Sequence, residues 1–194
     1  MSSNVLSQPV STSDRLQHIA QRIRVPSGFV LSGLYLYFAQ PSLLVVVIGG
    51  AISLLGLLTR AWASGHLRKN ESLATSGPYA LTRNPLYLGS FLMGIGCAVA
   101  GGNLWVALGL IAFFLMIYLP VMQAEARHLT QIFPDDYPVY ARQVPLLLPK
   151  LTALPAALQS PFNLQLYLRY REYRAALGLF SVFAFLVVRM YGKF

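Results

Sequence analysis

The sequence predicts an all-α, polytopic integral membrane protein. Three observations carry this expectation. Hydrophobic side chains make up 56% of the 194 residues and charged ones only 11%, the mean hydropathy is +0.56, and residues 85–124 contain no charged side chain. A soluble domain carries roughly 25% charged residues. An uncharged run of this length can cross a hydrocarbon core of about 30 Å and return.

The first 24 residues are polar and lack a central apolar run, so they are neither a cleavable signal nor a span. Asp14 can cap a short helix in which Leu16, Ile19, Ala20 and Ile23 recur at helical spacing, while Arg15, Arg22 and Arg24 stay polar. That pattern suits a helix lying in the membrane interface, with a flexible tail as the alternative. Residues 25–39 and 43–63 are apolar and separated by the uncharged turn Gln40-Pro41-Ser42, which reads as a helical hairpin. Residues 85–101 and 104–124 form a second hairpin through Gly102-Asn103. A last apolar run, 175–188, is shorter than the roughly 20 residues a span prefers. It follows a belt of Tyr167, Arg169, Tyr170, Arg171, Tyr173 and Arg174, of the kind found at headgroup level.

About five transmembrane helices result. The chain divides into an interfacial or flexible segment (1–24), a first hairpin (25–64), a central region holding the second hairpin (65–150), and an interfacial segment with the last helix (151–194).

The net charge is +9, with 13 of the 15 lysines and arginines before the last apolar run. Beside apolar spans such an excess marks loops held in the cytoplasm, which argues against a nucleic-acid partner and puts the amino terminus and both large loops on the cytoplasmic side. Cys97 stands alone, so there is no disulfide framework, and no metal-spaced cysteine or histidine set occurs. Ser90, Gly94, Ala98 and Gly102 fall at four-residue intervals, a stripe that lets another helix approach closely. The reading is packing within a monomer, with a weak homo-oligomer as the alternative.

Two polar points interrupt the apolar chain. Asn84-Pro85 opens the third predicted helix, since asparagine is a good N-cap and proline tolerates the first helical position. Its unpaired amides and positive dipole end, with Arg83 beside them, make a site for an anion such as a carboxylate. Tyr79 and Tyr87 flank it and offer ring faces to an aromatic base or a sulfonium cation. Glu125 follows the uncharged run, one turn beyond Pro120, which is expected to loosen that helix. An ionisable group near such a helix end is a functional candidate; pairing with Arg127 or Arg83 is the competing reading.

These residues carry a resemblance. The tract Gly77-Pro78-Tyr79, Arg83-Asn84-Pro85-Leu86-Tyr87-Leu88-Gly89, the later Glu125-Ala126-Arg127-His128-Leu129, and the tail Phe133, Tyr137, Tyr140, Val144-Pro145 and Pro149 resemble the isoprenylcysteine carboxyl methyltransferase family and its phospholipid methyltransferase relatives. The resemblance implies an enzyme with a cytoplasmic pocket for S-adenosyl-L-methionine that methylates a lipophilic acceptor drawn from the bilayer, amid membrane lipids and without a metal. It further implies cofactor contacts at Glu71, Ser72, Leu73, Ala74, Tyr79, Asn84, Pro85, Leu86, Tyr87 and Glu125. Catalysis is implied at Arg83, Asn84 and Glu125.

Three departures bear on the acceptor: Asn84 replaces the histidine of prenylcysteine enzymes, Ala126 the second acid of their pair, and Val121 an arginine of eukaryotic members that contacts substrate. A phospholipid amine is therefore an alternative acceptor. His66 and His128 are the histidines nearest these motifs, and neither is an obvious dedicated base. A nicotinamide-dependent sterol or lipid reductase and a noncatalytic scaffold are the competing classes.

Overall fold

The computed structural model describes residues 30–68 and 71–192. The interfacial helix expected before residue 25 lies outside them. Every regular element among the described residues is helical. Helix α1 is described over residues 30–38. The elements α2 (Leu43–Ser64), α3 (Pro85–Ala100) and α4 (Leu104–Ile132) follow, then the short α5 (Asp136–Gln143), α6 (Leu154–Leu158) and α7 (Leu164–Arg169), and finally α8 (Tyr173–Gly192). Single 3-10 turns sit at Gly77–Ala80 and Leu151–Ala153.

Of the five expected crossings, α2, α4 and α8 are long and apolar enough to span a membrane. Helix α3 has 16 residues, about 24 Å at 1.5 Å per residue, which falls short of the roughly 30 Å hydrocarbon core. Large apolar side chains point outward along these helices: Leu44, Trp105 and Phe180 are 69%, 80% and 75% exposed. Lipid, not protein, is the natural cover for such a surface.

Helices α2 and α3 form an antiparallel seam of small residues. Gly49 lies against Gly96 and Ala100, Ser53 donates to the Met93 carbonyl (3.2 Å), and Gly56 lies against Gly89 and Met93. Backbones approach this closely only where side chains are absent. The seam uses Gly89, Gly96 and Ala100, a different face of α3 from the expected stripe. Gly94, a member of that stripe, has nothing within 4 Å of where a Cβ would stand.

The expected turns are present. Asn103 caps α4 by accepting from the amides of Trp105 (3.1 Å) and Val106 (3.2 Å), and the Gln40 amide donates to the Gly101 carbonyl (2.6 Å). At the same end Arg189 of α8 donates to the carbonyls of Leu36 (2.7 Å) and Tyr37 (2.8 Å), closing the end of α1. Tyr35, Ala39, Val46, Ala100 and Leu186 are buried together there.

Two helices outrun their predicted lengths. Helix α4 passes through Pro120 and continues to Ile132, so Glu125 sits inside a helix, with its side chain exposed, and not at a broken, buried helix end. Helix α8 spans 20 residues, because Tyr173 and Arg174 extend its start and Arg189 its finish.

Candidate functional site

The end of the bundle opposite Arg189 gathers the polar sequence. Its foundation is a loop crossing: Arg83 N–H donates to the Pro145 carbonyl (2.9 Å) and Lys150 N–H to the Leu81 carbonyl (2.8 Å), so residues 81–84 and 145–150 brace each other. Thr82, almost wholly buried, donates its hydroxyl to the Leu146 carbonyl (3.2 Å) and accepts the Asn84 amide (3.3 Å).

Asn84 stands at the N-cap of α3, but its side chain caps nothing. Nδ2 donates instead to the Leu146 carbonyl (2.9 Å). The expectation of a capped helix is therefore corrected: the asparagine side chain tethers the loop and does not cap the positive end of the α3 dipole.

Arg83 lies beside that end. Its Nη1 donates to the Tyr137 hydroxyl (3.2 Å) and its guanidinium carbon sits 5.9 Å from the Tyr137 ring centroid. Its Nε is buried and, among the described residues, is the only buried side-chain nitrogen or oxygen without a hydrogen-bond partner. Buried donors are normally paired, so an orphan marks a place where something is to be held.

Tyr79 is buried, and its carbonyl accepts from the Tyr140 hydroxyl (2.7 Å). Burial pushes the Tyr79 phenol far above the ordinary tyrosine range, and the charge of Glu125 adds to the rise, followed by Tyr140 and Glu172. Glu125 is thus near enough to Tyr79 for its charge to be felt, and the two motifs meet at one end of the bundle. Tyr137, Tyr140 and Val144 pack with Leu73, Ala126, Leu129 and Phe133, which joins α5 to the end of α4.

The remaining predicted contacts are more dispersed. Pro85 is fully buried under the α3 start, Leu86 is partly buried, and Tyr87 meets Tyr118 ring to ring at 5.6 Å. Glu71 and Ser72 are exposed, with Glu71 bridged to Arg169 (3.2 Å), and Ala74 is partly buried. An exposed pair of that kind stabilises by less than about 1 kcal/mol.

Gly77 has φ +58, and a Cβ there would meet the His66 ring at 2.5 Å, so only glycine fits. Its amide donates to the Ser160 hydroxyl (3.1 Å). Beside it opens a cavity of about 590 Å3 lined by Gly65, His66, Arg68, Ser76 and residues 161–166. None of the predicted contacts lines it. A second cavity, about 200 Å3, lies between α1, α3 and α4, lined by Leu31, Ser32, Phe91, Gly94, Ile95, Leu110, Ile111, Phe113, Phe114 and Tyr118.

Sequence reasoning missed Arg60 and Glu172. Arg60 Nε and Nη2 hold the Glu172 carboxylate at 2.9 to 3.0 Å, and Nη1 donates to the Leu86 carbonyl (3.3 Å) and to Ser90 Oγ. The available signal was a lone charge inside an otherwise apolar helix.

The chain resembles the cobalt-zinc-cadmium resistance protein CzcN of Cupriavidus metallidurans, with 34% identity over 118 residues, covering 59% of this chain and 53% of that protein. It also resembles the nickel-cobalt-cadmium resistance protein NccN of Alcaligenes xylosoxydans xylosoxydans, with 32% identity over 95 residues, covering 48% of this chain and 44% of that one. The chain thus spans about half the length of these two relatives. No solved structure matches it. The phospholipid methyltransferase family model matches residues 42–136, a stretch running from the start of α2 past Glu125, and over that stretch the chain is similar to the phospholipid methyltransferase family.

Proposed function

We propose that this protein transfers a methyl group from S-adenosyl-L-methionine to a lipophilic acceptor that enters from the bilayer, at a site facing the cytoplasm. One observation carries the reading: the orphaned Arg83 Nε stands beside a helix start that the side chain of its N-cap residue, Asn84, leaves uncapped. Together they supply what a ligand carboxylate requires, a fixed cation and a positive dipole end. Glu125 supplies the complementary acceptor for ribose hydroxyls or an ammonium group.

The bound cofactor supplies an electrophilic methyl on sulfur. The protein's part is to align donor and acceptor and to exclude water. Tyr87 and Tyr118 lie between this site and the apolar cavity, with Tyr118 stacked on Phe114 at 4.4 Å. An apolar acceptor chain resting in that cavity would bring its head group toward the rings, whose faces suit a sulfonium. The cytoplasmic orientation follows from the lysines and arginines gathered at this end.

Calorimetry on the detergent-solubilised protein tests the reading. S-adenosylhomocysteine is expected to bind and NADPH not, and Glu125→Ala is expected to remove binding. Binding of NADPH alone replaces the proposal with a reductase, and silence from both ligands leaves a scaffold. The acceptor cavity has its own test. Gly94→Phe should fill it and lower methyl transfer to long-chain acceptors by roughly tenfold, the effect of a few lost methylene contacts. S-adenosylhomocysteine affinity should stay unchanged, and normal transfer with Gly94→Phe would remove the cavity from the pathway.

A further inference from the structure

We propose that Glu172 is a positioning residue for this site, acting through Arg60 on the first turn of α3. The inference rests on the methyltransferase reading for its activity arm only. Arg60 is the single charged residue of α2. A guanidinium on an apolar membrane helix is tolerated when fully engaged. Arg60 is engaged wholly outside its own helix: on one side the Glu172 carboxylate, on the other the Leu86 carbonyl and the Ser90 hydroxyl, which itself donates to Leu86 (2.9 Å). Leu86 lies between Pro85 and Tyr87, in the turn whose dipole end and neighbouring Arg83 form the anion site. The guanidinium therefore fixes the position of that turn, and Glu172 fixes the guanidinium.

A second, independent observation points to the same residue. Arg171, immediately before Glu172, has φ +54 and is the only non-glycine residue with positive φ among those described. Left-handed backbone is unfavourable for an arginine and persists where surrounding contacts over-determine it. Here it turns the chain between α7 and α8 so that the carboxylate faces inward, with only 12% of its side chain exposed. The Glu172 charge also contributes to the raised phenol of Tyr79, which puts it in electrical reach of the site. Glu172 lies well beyond residue 136, where the family match ends. The carboxyl-terminal segment thus supplies the counter-ion for Arg60, whose side chain is only 22% exposed.

The alternative is a purely stabilising ion pair, and a double variant separates the two. Replacing a buried pair by apolar residues often leaves stability intact, so Arg60→Leu/Glu172→Leu is expected to keep Tm within about 3 °C of the parent. It removes the bond to Leu86 all the same. Under the proposal kcat for methyl transfer to extracted membrane lipid falls roughly 30-fold in Glu172→Gln and in the double variant, as expected for a small misplacement of reacting groups. KM for the methyl donor stays within about threefold. Amide exchange in the peptide covering residues 84–90 becomes faster in both.

A double variant with parental kcat and parental protection of residues 84–90 overturns the proposal. So does a loss of kcat in Glu172→Gln that the double variant restores along with Tm. Should the parent protein bind no S-adenosylhomocysteine and transfer no methyl group, the methyltransferase reading fails, and exchange at residues 84–90 still decides whether Glu172 holds the turn.

Discussion

Gly56→Ala is expected to cost on the order of 3 kcal/mol and to lower the apparent Tm in detergent by roughly 10 °C. A Cβ at position 56 would stand 2.6 Å from the Gly89 carbonyl oxygen and 2.6 Å from the Met93 amide nitrogen. Both are backbone atoms of a helix, so no rotamer change relieves the clash and α2 must move away from α3. Between helices in lipid there is little hydrophobic drive to compensate, because close packing is itself the source of association. The same seam carries Gly49, whose Cβ would lie 2.6 Å from the Ala100 amide nitrogen. Separation also stretches the reach of Arg60 to Leu86 and Ser90, so kcat for methyl transfer should fall together with stability. Gly94→Ala is the control. Its Cβ would enter open space, and alanine favours a helix over glycine, so its Tm should match or slightly exceed the parent's; an equal loss at position 94, where nothing clashes, would mean that the seam does not set the stability.

The positions of turns were legible because uncharged breaks such as Gln40-Pro41-Ser42 and Gly102-Asn103 between apolar runs leave little choice but a hairpin. Helix ends were less so. Pro120 removes one donor, yet α4 continues to Ile132, since one missing bond does not end a helix whose remaining backbone groups must stay paired. The apolar run 175–188 understated α8 because Tyr173 and Arg174 can lay their stems along the helix and extend their polar ends toward headgroups, while Arg189 finds carbonyls on α1.

In the site, the junction of loop and helix at Arg83-Asn84-Pro85 announced itself through local chemistry. What its side chains bond to did not. Leu146 and Tyr137, the partners of Asn84 and Arg83, lie 62 and 54 residues downstream, and such pairings are set by tertiary packing that no local pattern encodes. Arg60 was passed over although it is the lone charge of an apolar helix, and nothing in the sequence distinguished Glu172 as its partner.

Arg83→Ala is expected to raise the Kd for S-adenosylhomocysteine by roughly 10- to 100-fold, the worth of a charge-assisted hydrogen bond of about 1.5 to 3 kcal/mol. The magnitude rests on how completely the residue is held before any ligand arrives. Its backbone is tied to Pro145, its Nη1 to the Tyr137 hydroxyl, and its guanidinium lies over the Tyr137 ring. A carboxylate meeting Nε therefore freezes few additional rotamers, and preorganisation of this kind converts directly into affinity. Arg83→Lys keeps the charge but loses both Nε and the planar fork, so it should fall between the parent and the alanine variant.

A ligand comparison separates a carboxylate contact from a general loosening of the loop. 5′-Methylthioadenosine lacks the amino-acid carboxylate, so its affinity should be the same for the parent and Arg83→Ala. If both ligands lose affinity equally, Arg83 serves to brace residues 81–84 against 145–150 and the anion site at the start of α3 must be abandoned. If only S-adenosylhomocysteine weakens, the orphaned nitrogen is the carboxylate's partner, and the energy of that contact is read directly from the difference between the two ligands.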